Sequence, residues 1–334
     1  MTKIGLVLGA GGVVGQAYHA GVLSALAEET GWDPRSADVV VGSSAGSVTG
    51  AVLRLGGSAA DLAAYASDRP LSPEGEQLFQ AFGPRQRDFP PFDFGTIVRG
   101  WRAPSPAAAL RALRRPWELR PTAAAITVLP AGRVDITEHT SVLDSVLDAQ
   151  LDDGSGWPVG LRVCALRRSD GRRVVFGRPG APTASLGEAV AASCAIPGYF
   201  APVRIDGRAY VDGGAHSPTN ADVLSRDRLD LVVVVSPMSA KRGRARTPDG
   251  LVRLAAHRAL RREVAQLRAA GTEVLCFEPE PGALSVMGLN PMAEDRSGAV
   301  VDAAADETRR RLVDPRLAVR LDRLGGRRCS RRVA

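Results

Sequence analysis

The sequence predicts an α/β fold of three layers, in which helices cover both faces of a central, mostly parallel sheet. Two observations support this prediction. The first 56 residues alternate between short apolar strands and segments with apolar residues at helical spacing. Further along the 334-residue chain, the alternation returns and includes a strongly apolar strand at residues 231–235.

The elements are predicted in chain order from apolar runs, helical spacing and glycine or proline punctuation. The first half contains strands at residues 4–8 and 38–41, helices at 15–29 and 45–55, a strand at 124–129 and a helix at 141–151. A hairpin around Asp170-Gly171 then joins strands at 161–166 and 173–176. The remainder contains helices at 186–194, 251–270 and 298–312 and strands at 203–205, 209–211, 231–235 and 273–277.

A proline-rich segment, residues 67–121, interrupts this alternation. Proline breaks regular elements, so the segment is predicted to be an irregular insertion with short helices. Its aromatic residues suit either a cap over an apolar pocket or a small separate core. We expect residues 1–325 to form a single domain with this insertion, followed by a basic, disordered tail at 326–334.

The composition is that of an ordinary globular protein, with 45% hydrophobic and 24% charged residues. The formal net charge is +7, and lysine occurs only at Lys3 and Lys241, so nearly all positive charge is arginine. A basic chain can favour anionic surfaces such as phospholipid headgroups or nucleic acid. The arginines are scattered over predicted helices without a nucleic-acid-binding motif, so we expect solvated helix faces and no nucleic-acid partner.

The four cysteines show neither CxxC spacing nor a neighbouring pair of histidines, which argues against a zinc site and against a disulfide framework. The apolar run at the N-terminus is too short for a signal peptide, and no run of 18 apolar residues occurs. A cytoplasmic location, with at most peripheral membrane contact, is therefore expected.

The sharpest motif is Gly-Ser-Ser-Ala-Gly at residues 42–46, a G-x-S-x-G pentapeptide between a predicted strand and a predicted helix. A nucleophile elbow needs this context, because Gly42 and Gly46 permit a turn tight enough to expose Ser44 above the sheet. The following helix N-terminus favours a developing negative charge. The structural alternative is an ordinary glycine turn in which serine caps the following helix.

A second motif, Gly-Ala-Gly-Gly-Val-Val-Gly at residues 9–15, links the first strand to the first helix. Closely spaced glycines allow main-chain N–H groups to converge on a phosphate or on an oxyanion. A dinucleotide-binding loop is disfavoured, because its G-x-G-x-x-G spacing fails at Val14 and no acidic residue ends the second strand.

The third motif, Asp212-Gly213-Gly214, directly follows a predicted strand. Alone it suits an ordinary turn. Together, the three motifs resemble the patatin-like phospholipase family in identity and order. The Ala-Ser-Cys-Ala-Ile-Pro-Gly-Tyr-Phe-Ala-Pro stretch at 192–202 is similar to a further segment of that family.

The resemblance implies the patatin-like three-layer fold and a lipid acyl hydrolase without metal or organic cofactor. Ser44 would attack the ester carbonyl, and Asp212 would accept its proton directly. The N–H groups of Gly11 and Gly12, with that of Val13, would form the oxyanion hole. One departure is Val14, where the family usually has arginine or lysine, and reduced or redirected activity is expected from it.

Several alternatives stay open. His216, four residues after Asp212, is a candidate auxiliary group, and a catalytically silent lipid-binding or regulatory protein would keep the same fold. Met287 and Met292 lie in a predicted apolar loop that would either line an acyl pocket or fill the core. The expected partner is a lipid or another ester, while acyl-chain preference and oligomeric state are left open.

Overall fold

The computed structural model describes residues 2–82, 131–150, 156–241 and 248–325. Within these ranges, one sheet has the strand order β5-β6-β3-β2-β1-β7-β8, with β4 paired to β3. The strands are β1 (Ile4–Leu8), β2 (Val39–Ser43), β3 (Leu161–Arg167), β4 (Arg173–Phe176), β5 (Val203–Ile205), β6 (Arg208–Asp212), β7 (Leu231–Val235) and β8 (Glu273–Phe277). Strands β3, β2, β1, β7 and β8 are parallel neighbours, whereas β4, β5 and β6 run antiparallel to their partners.

Helices lie on both faces of the sheet. They are α1 (Gly12–Thr30), α2 (Ala45–Arg54), α3 (Ala59–Ala66), α4 (Pro73–Gln80), α5 (Thr137–Thr140), α6 (Val142–Gln150), α7 (Leu186–Cys194), α8 (Pro248–Ala269), α9 (Pro281–Met287), α10 (Ser297–Leu312) and α11 (Ala318–Gly325). No helix in the described ranges has the length and apolar character needed to cross a bilayer.

Alternating side chains of the central strands enter two separate cores, as the pleat requires. Leu6 and Leu8 of β1 join a core built with α1, α2, α7 and α10. Val7, between them, joins the opposite core, which contains Leu260 and Val264 of α8. Both faces of the sheet are therefore covered, which confirms the three-layer α/β/α prediction.

The pairing of β3 brings two distant strand ends together. Strand β2 pairs with the first part of β3, ending with Ser43 opposite Cys164, whereas β6 pairs with the last part, with Asp212 opposite Ala165. Strand β4 pairs with residues in both parts of β3, so it lies along the edge of β3 opposite to β2 and β6. Because β6 runs antiparallel to β3 and β2 runs parallel to it, the carboxyl ends of β2 and β6 meet.

The predicted elements and the structure differ at several places. Helix α1 begins at Gly12 rather than at residue 15, inside the glycine-rich turn. Residues 285–287 belong to α9 rather than to an apolar loop, and the side chain of Met287 is buried in the core. Helices α3 and α11 were not predicted. Residues 83–121 of the proline-rich insertion, the strand predicted at 124–129 and the tail at 326–334 lie outside the described residues.

Candidate active site

Ser44 lies on a sharp turn between β2 and α2, with φ 52° and ψ −122°. This conformation is unusual for a residue with a side chain. A Cβ on Gly42 would lie 2.5 Å from the Gly46 carbonyl oxygen, and a Cβ on Gly46 would collide with the Leu8 carbonyl group. Glycine is therefore required on both sides of Ser44, as the G-x-S-x-G motif predicts.

The Ser44 hydroxyl lies close enough to the Asp212 carboxyl group to lower the pKa of that group. Both side chains are buried, and the Gly214 N–H donates to Asp212 Oδ1 at 2.6 Å. Burial raises the pKa of Asp212 to about 6, although the nearby Ser44 hydroxyl and the hydrogen bond from Gly214 lower it. The structure thus joins the two residues that the sequence singled out, across the meeting ends of β2 and β6.

The main-chain N–H groups of the glycine loop fall into two sets. Four of them donate hydrogen bonds to carbonyl oxygens. The N–H of Gly9 donates to Val235, that of Ala10 to Pro218, that of Val14 to Pro291 and that of Gly15 to Gly11. Within the described part of the chain, those of Gly11, Gly12 and Val13 have no such acceptor. These three N–H groups lie at the N-terminus of the 19-residue helix α1, which favours negative charge.

Glycine is needed in this loop for close approach. Gly12 has a φ of 65°, and a Cβ there would collide with the Pro291 carbonyl group. A Cβ on Gly11 would lie 2.7 Å from the Gly15 Cα and 2.9 Å from the Pro237 Cβ. The loop is therefore held between two prolines, one after β7 and one after α9.

Val14 points into the protein core instead of toward the loop. Its side chain is 2% exposed and packs in the core beside α1 and the central strands. Its N–H donates to the Pro291 carbonyl oxygen at 3.1 Å. Valine at this position thus supplies neither a cation nor a free N–H group to the loop.

Ser193 is a site residue that the sequence reasoning did not assign. Its hydroxyl accepts the Ser44 N–H at 2.9 Å and donates to the Cys164 carbonyl oxygen at 2.7 Å. The side chain is fully buried at the end of α7. Ser193 therefore holds the elbow against β3, which gives a structural reason for serine in the stretch 192–202.

Asn220 was also missed, and it links both ends of the site. Its side-chain amide donates to Ser43 Oγ at 2.9 Å, to the Gly213 carbonyl oxygen at 3.2 Å and to the Ser217 carbonyl oxygen at 2.7 Å. Its Oδ1 accepts from Arg173 at 3.1 Å. Asn220 is fully buried with a φ of 53°, a backbone region that asparagine tolerates better than most residues.

Three histidines interact with residues other than Ser44 and Asp212. His19 is fully buried with Nδ1 3.2 Å from Thr49 Oγ1, and burial lowers its pKa to about 3. His257 Nδ1 lies 2.7 Å from Glu278 Oε1. His216 lies close enough to Asp222 to lower the pKa of that carboxyl group. The groups that shift the pKa of Asp212 are Ser44 and Gly214.

The site offers a hydroxyl, a carboxylate and three N–H groups that have no main-chain acceptor in the described residues, a combination suited to acyl chemistry. In the described ranges, no group of three or more His, Cys, Asp or Glu side chains is arranged to hold a metal ion.

Comparison with known proteins assigns the family. A family model described as patatin-like phospholipase matches residues 6–225, which is more than half of the chain. The protein therefore belongs to the patatin-like phospholipase family. Hydrolysis of lipid acyl esters is the activity typical of this family.

Among solved structures, VipD from Legionella pneumophila is similar, with 14% sequence identity and a TM-score of 0.39. The alignment covers 92% of this chain and 66% of VipD. No curated protein matches the chain significantly.

Proposed function

We propose that this protein hydrolyses carboxylic esters of lipids, such as phospholipids, lysophospholipids or acylglycerols, through an acyl-enzyme on Ser44. This proposal rests mainly on the proximity of the buried Ser44 hydroxyl to the buried Asp212 carboxyl group, whose pKa that hydroxyl lowers. The N–H groups of Gly11, Gly12 and Val13, which have no main-chain acceptor in the described residues, support the same conclusion. Acyl transfer develops an oxyanion that such donors stabilise.

In the proposed first step, Ser44 Oγ attacks the ester carbonyl carbon while its proton passes to Asp212. The carbonyl oxygen becomes an oxyanion that the N–H groups of residues 11–13 bind. The tetrahedral intermediate then expels the alcohol, which takes the proton from Asp212, and leaves an acyl group on Ser44. Water attacks this ester with Asp212 as base, and release of the fatty acid restores the free hydroxyl.

The environment of Asp212 suits a carboxylate that acts without histidine. A pKa of about 6, compared with 3.8 for an ordinary aspartate, means a stronger base that is still mostly ionised at neutral pH. Asp212 is still a weak base, so the proposed mechanism depends strongly on the oxyanion hole. Loss of one donor in such a hole typically costs about 3 kcal/mol of transition-state stabilisation.

Covalent labelling tests the nucleophile. A fluorophosphonate probe should label the full chain, whereas Ser44→Ala should abolish labelling because the attacking oxygen is gone. Ser36→Ala, on an exposed turn, is the matched control and should label normally. His216→Ala should retain turnover, and a loss as large as that of Ser44→Ala would contradict the two-residue mechanism.

A catalytically silent lipid-binding protein is the second candidate, favoured by the absence of a cation at Val14. It predicts no labelling of the folded protein, together with lipid binding. A chain-length series of p-nitrophenyl esters beside a phospholipid panel would rank substrates if the hydrolase proposal holds. The same assays would give no turnover with any substrate if the protein is silent.

A further inference from the structure

A cavity lined by none of the residues at the Ser44 site lies at the β8 end of the sheet. Its volume is about 200 Å³. It lies between α8 and the segment that enters α11, with Val274 and Cys276 of β8 along one wall. Five cationic side chains line it: Lys241, Arg261, Arg268, Arg311 and Arg320.

The cationic side chains outnumber the acidic groups of the cavity. Glu278 is the one acidic residue among the lining residues, and its Oε1 lies 2.7 Å from His257 Nδ1. Arg320 bonds Glu273 at 2.8 Å, and Arg311 lies over the Phe277 ring with its Cζ 5.1 Å from the centroid. In the described ranges, Arg261 and Arg268 have neither an ion pair nor a hydrogen bond.

Three of these arginines lower the pKa of the same side chain, Cys276. Burial raises the pKa of the Cys276 thiol to about 11 and Glu278 adds to the rise, whereas Arg311, Arg268 and Arg261 all oppose it. The three guanidinium groups therefore produce a positive potential at the same wall of the cavity. Arg261 and Arg268 are exposed and form no ion pair within the described residues, so their guanidinium groups are available to a bound anion.

The edge strand adds main-chain donors. Within the described residues β8 pairs with β7 alone. The Glu273 N–H donates to Asp230 and the Phe277 carbonyl accepts from Ser236, so the odd-numbered residues of β8 face β7. Alternation along the strand then turns the N–H groups of Val274 and Cys276 toward the open edge, where the cavity lies.

We propose that this cavity is an anion site for a phosphate group, built from the arginines of α8, α10 and α11 and the free edge of β8. Its volume admits a phosphate or sulfate ion. Guanidinium groups bind such oxyanions through several short, charge-assisted hydrogen bonds. The phosphate is either a free anion or a lipid headgroup, and the proposal is independent of hydrolysis at Ser44.

Inorganic phosphate and sulfate are the probes, titrated against the full chain at constant low ionic strength by calorimetry and thermal melting. Arg261→Gln/Arg268→Gln should weaken phosphate affinity by about tenfold or more, because two charge-assisted donors are removed. Arg258→Gln, an exposed arginine of the same helix outside the cavity, is the matched control and should bind as the parent does.

Phosphatidic acid vesicles distinguish the two sources. If the double variant loses phosphate affinity and also floats less with these vesicles, the site takes a headgroup; unchanged flotation assigns it to the free anion. Equal affinity of all three proteins for phosphate, or no saturable binding to the parent, would overturn the proposal. Melting without phosphate checks that the variants are folded.

Discussion

Ser44 holds a backbone conformation that glycine adopts readily and other residues seldom do, with φ 52°. Such a position costs about 1–3 kcal/mol, which the surrounding fold supplies. In urea denaturation, the free energy of unfolding of Ser44→Gly should therefore exceed that of Ser44→Ala by about 1 kcal/mol, because alanine keeps the strain. This order is the reverse of the usual preference for alanine over glycine.

Both Ser44 variants lack the proposed nucleophile, so neither should be labelled, and their comparison separates the backbone effect from the chemistry. Equal stability of the two variants would mean that the turn carries no strain at this residue.

Under the proposed mechanism, Asp212 couples activity to pH through its raised pKa. Because only the ionised carboxylate accepts a proton, kcat/KM should rise with pH and reach half its plateau near the pKa of about 6. The folded protein also binds this proton more tightly than the unfolded chain, where the pKa is near 3.8. The free energy of unfolding should therefore fall as pH rises from about 3.8 through about 6.

Asp212→Asn removes this charge while keeping an oxygen for the Gly214 N–H. It should abolish turnover and, above pH 7, raise the free energy of unfolding by up to about 3 kcal/mol, the equivalent of a pKa difference of about two. The gain should vanish near pH 3, where the native carboxyl group is protonated. A variant that is less stable than the parent at pH 8 would show that the charge is not a cost to the fold.

Among the structural elements, most strands follow directly from sequence, because their signal is local. The apolar run of β7 and the glycine-bounded run of β1 are buried at every residue, as predicted. Helix α9 could not be predicted in this way, because its start is stabilised from a distant helix. Glu307 of α10 accepts the N–H groups of Glu280 and Ala283.

The same distinction applies to the site. Ser44, Asp212 and the glycine turns stand in recognisable motifs, so the sequence identified them before the structure joined them. Ser193 contacts Ser44 across 149 residues, and Asn220 contacts Ser43 across 177. No local pattern encodes these hydrogen bonds, because they depend on how α7 and the turn after β6 pack against the end of β2.

Asn220 connects the turn after β6 to the end of β2, and we expect it to position Ser44 and Asp212 relative to each other. Asn220→Asp keeps the side-chain size but replaces the N–H donors with oxygen, which would face the Gly213 and Ser217 carbonyl oxygens. Each buried acceptor left unpaired costs about 1–3 kcal/mol, so kcat should fall by about tenfold to a hundredfold.

KM should change little, because Asn220 is fully buried and is bonded to the elbow and to the turn after Asp212. Measured kcat and KM, with melting to verify the fold, check this expectation. A folded variant with the parent's kcat would show that the elbow and Asp212 hold their positions without this amide.

At the scale of the whole molecule, the family match ends at residue 225, but the fold does not. Strand β7 pairs along β1 inside the sheet, and α10 approaches α1 so closely that a Cβ on Gly21 would collide with the Val301 carbonyl group. The later residues also hold the glycine loop, through the Val235 and Pro291 carbonyl oxygens. The site is therefore a property of the chain through at least α10.

Truncation tests this dependence. A chain ending at residue 225 should be insoluble or non-cooperative in melting and should not react with the fluorophosphonate, because it exposes β1, uncovers α1 and frees the loop. A chain ending at residue 325 should melt and label as the full protein does, since it keeps every strand and helix described above. Labelling of the shorter chain at the parent's rate would show that β7, β8 and α10 contribute nothing to the glycine loop. The N–H groups of residues 11–13 would then owe their arrangement to residues 1–225 alone.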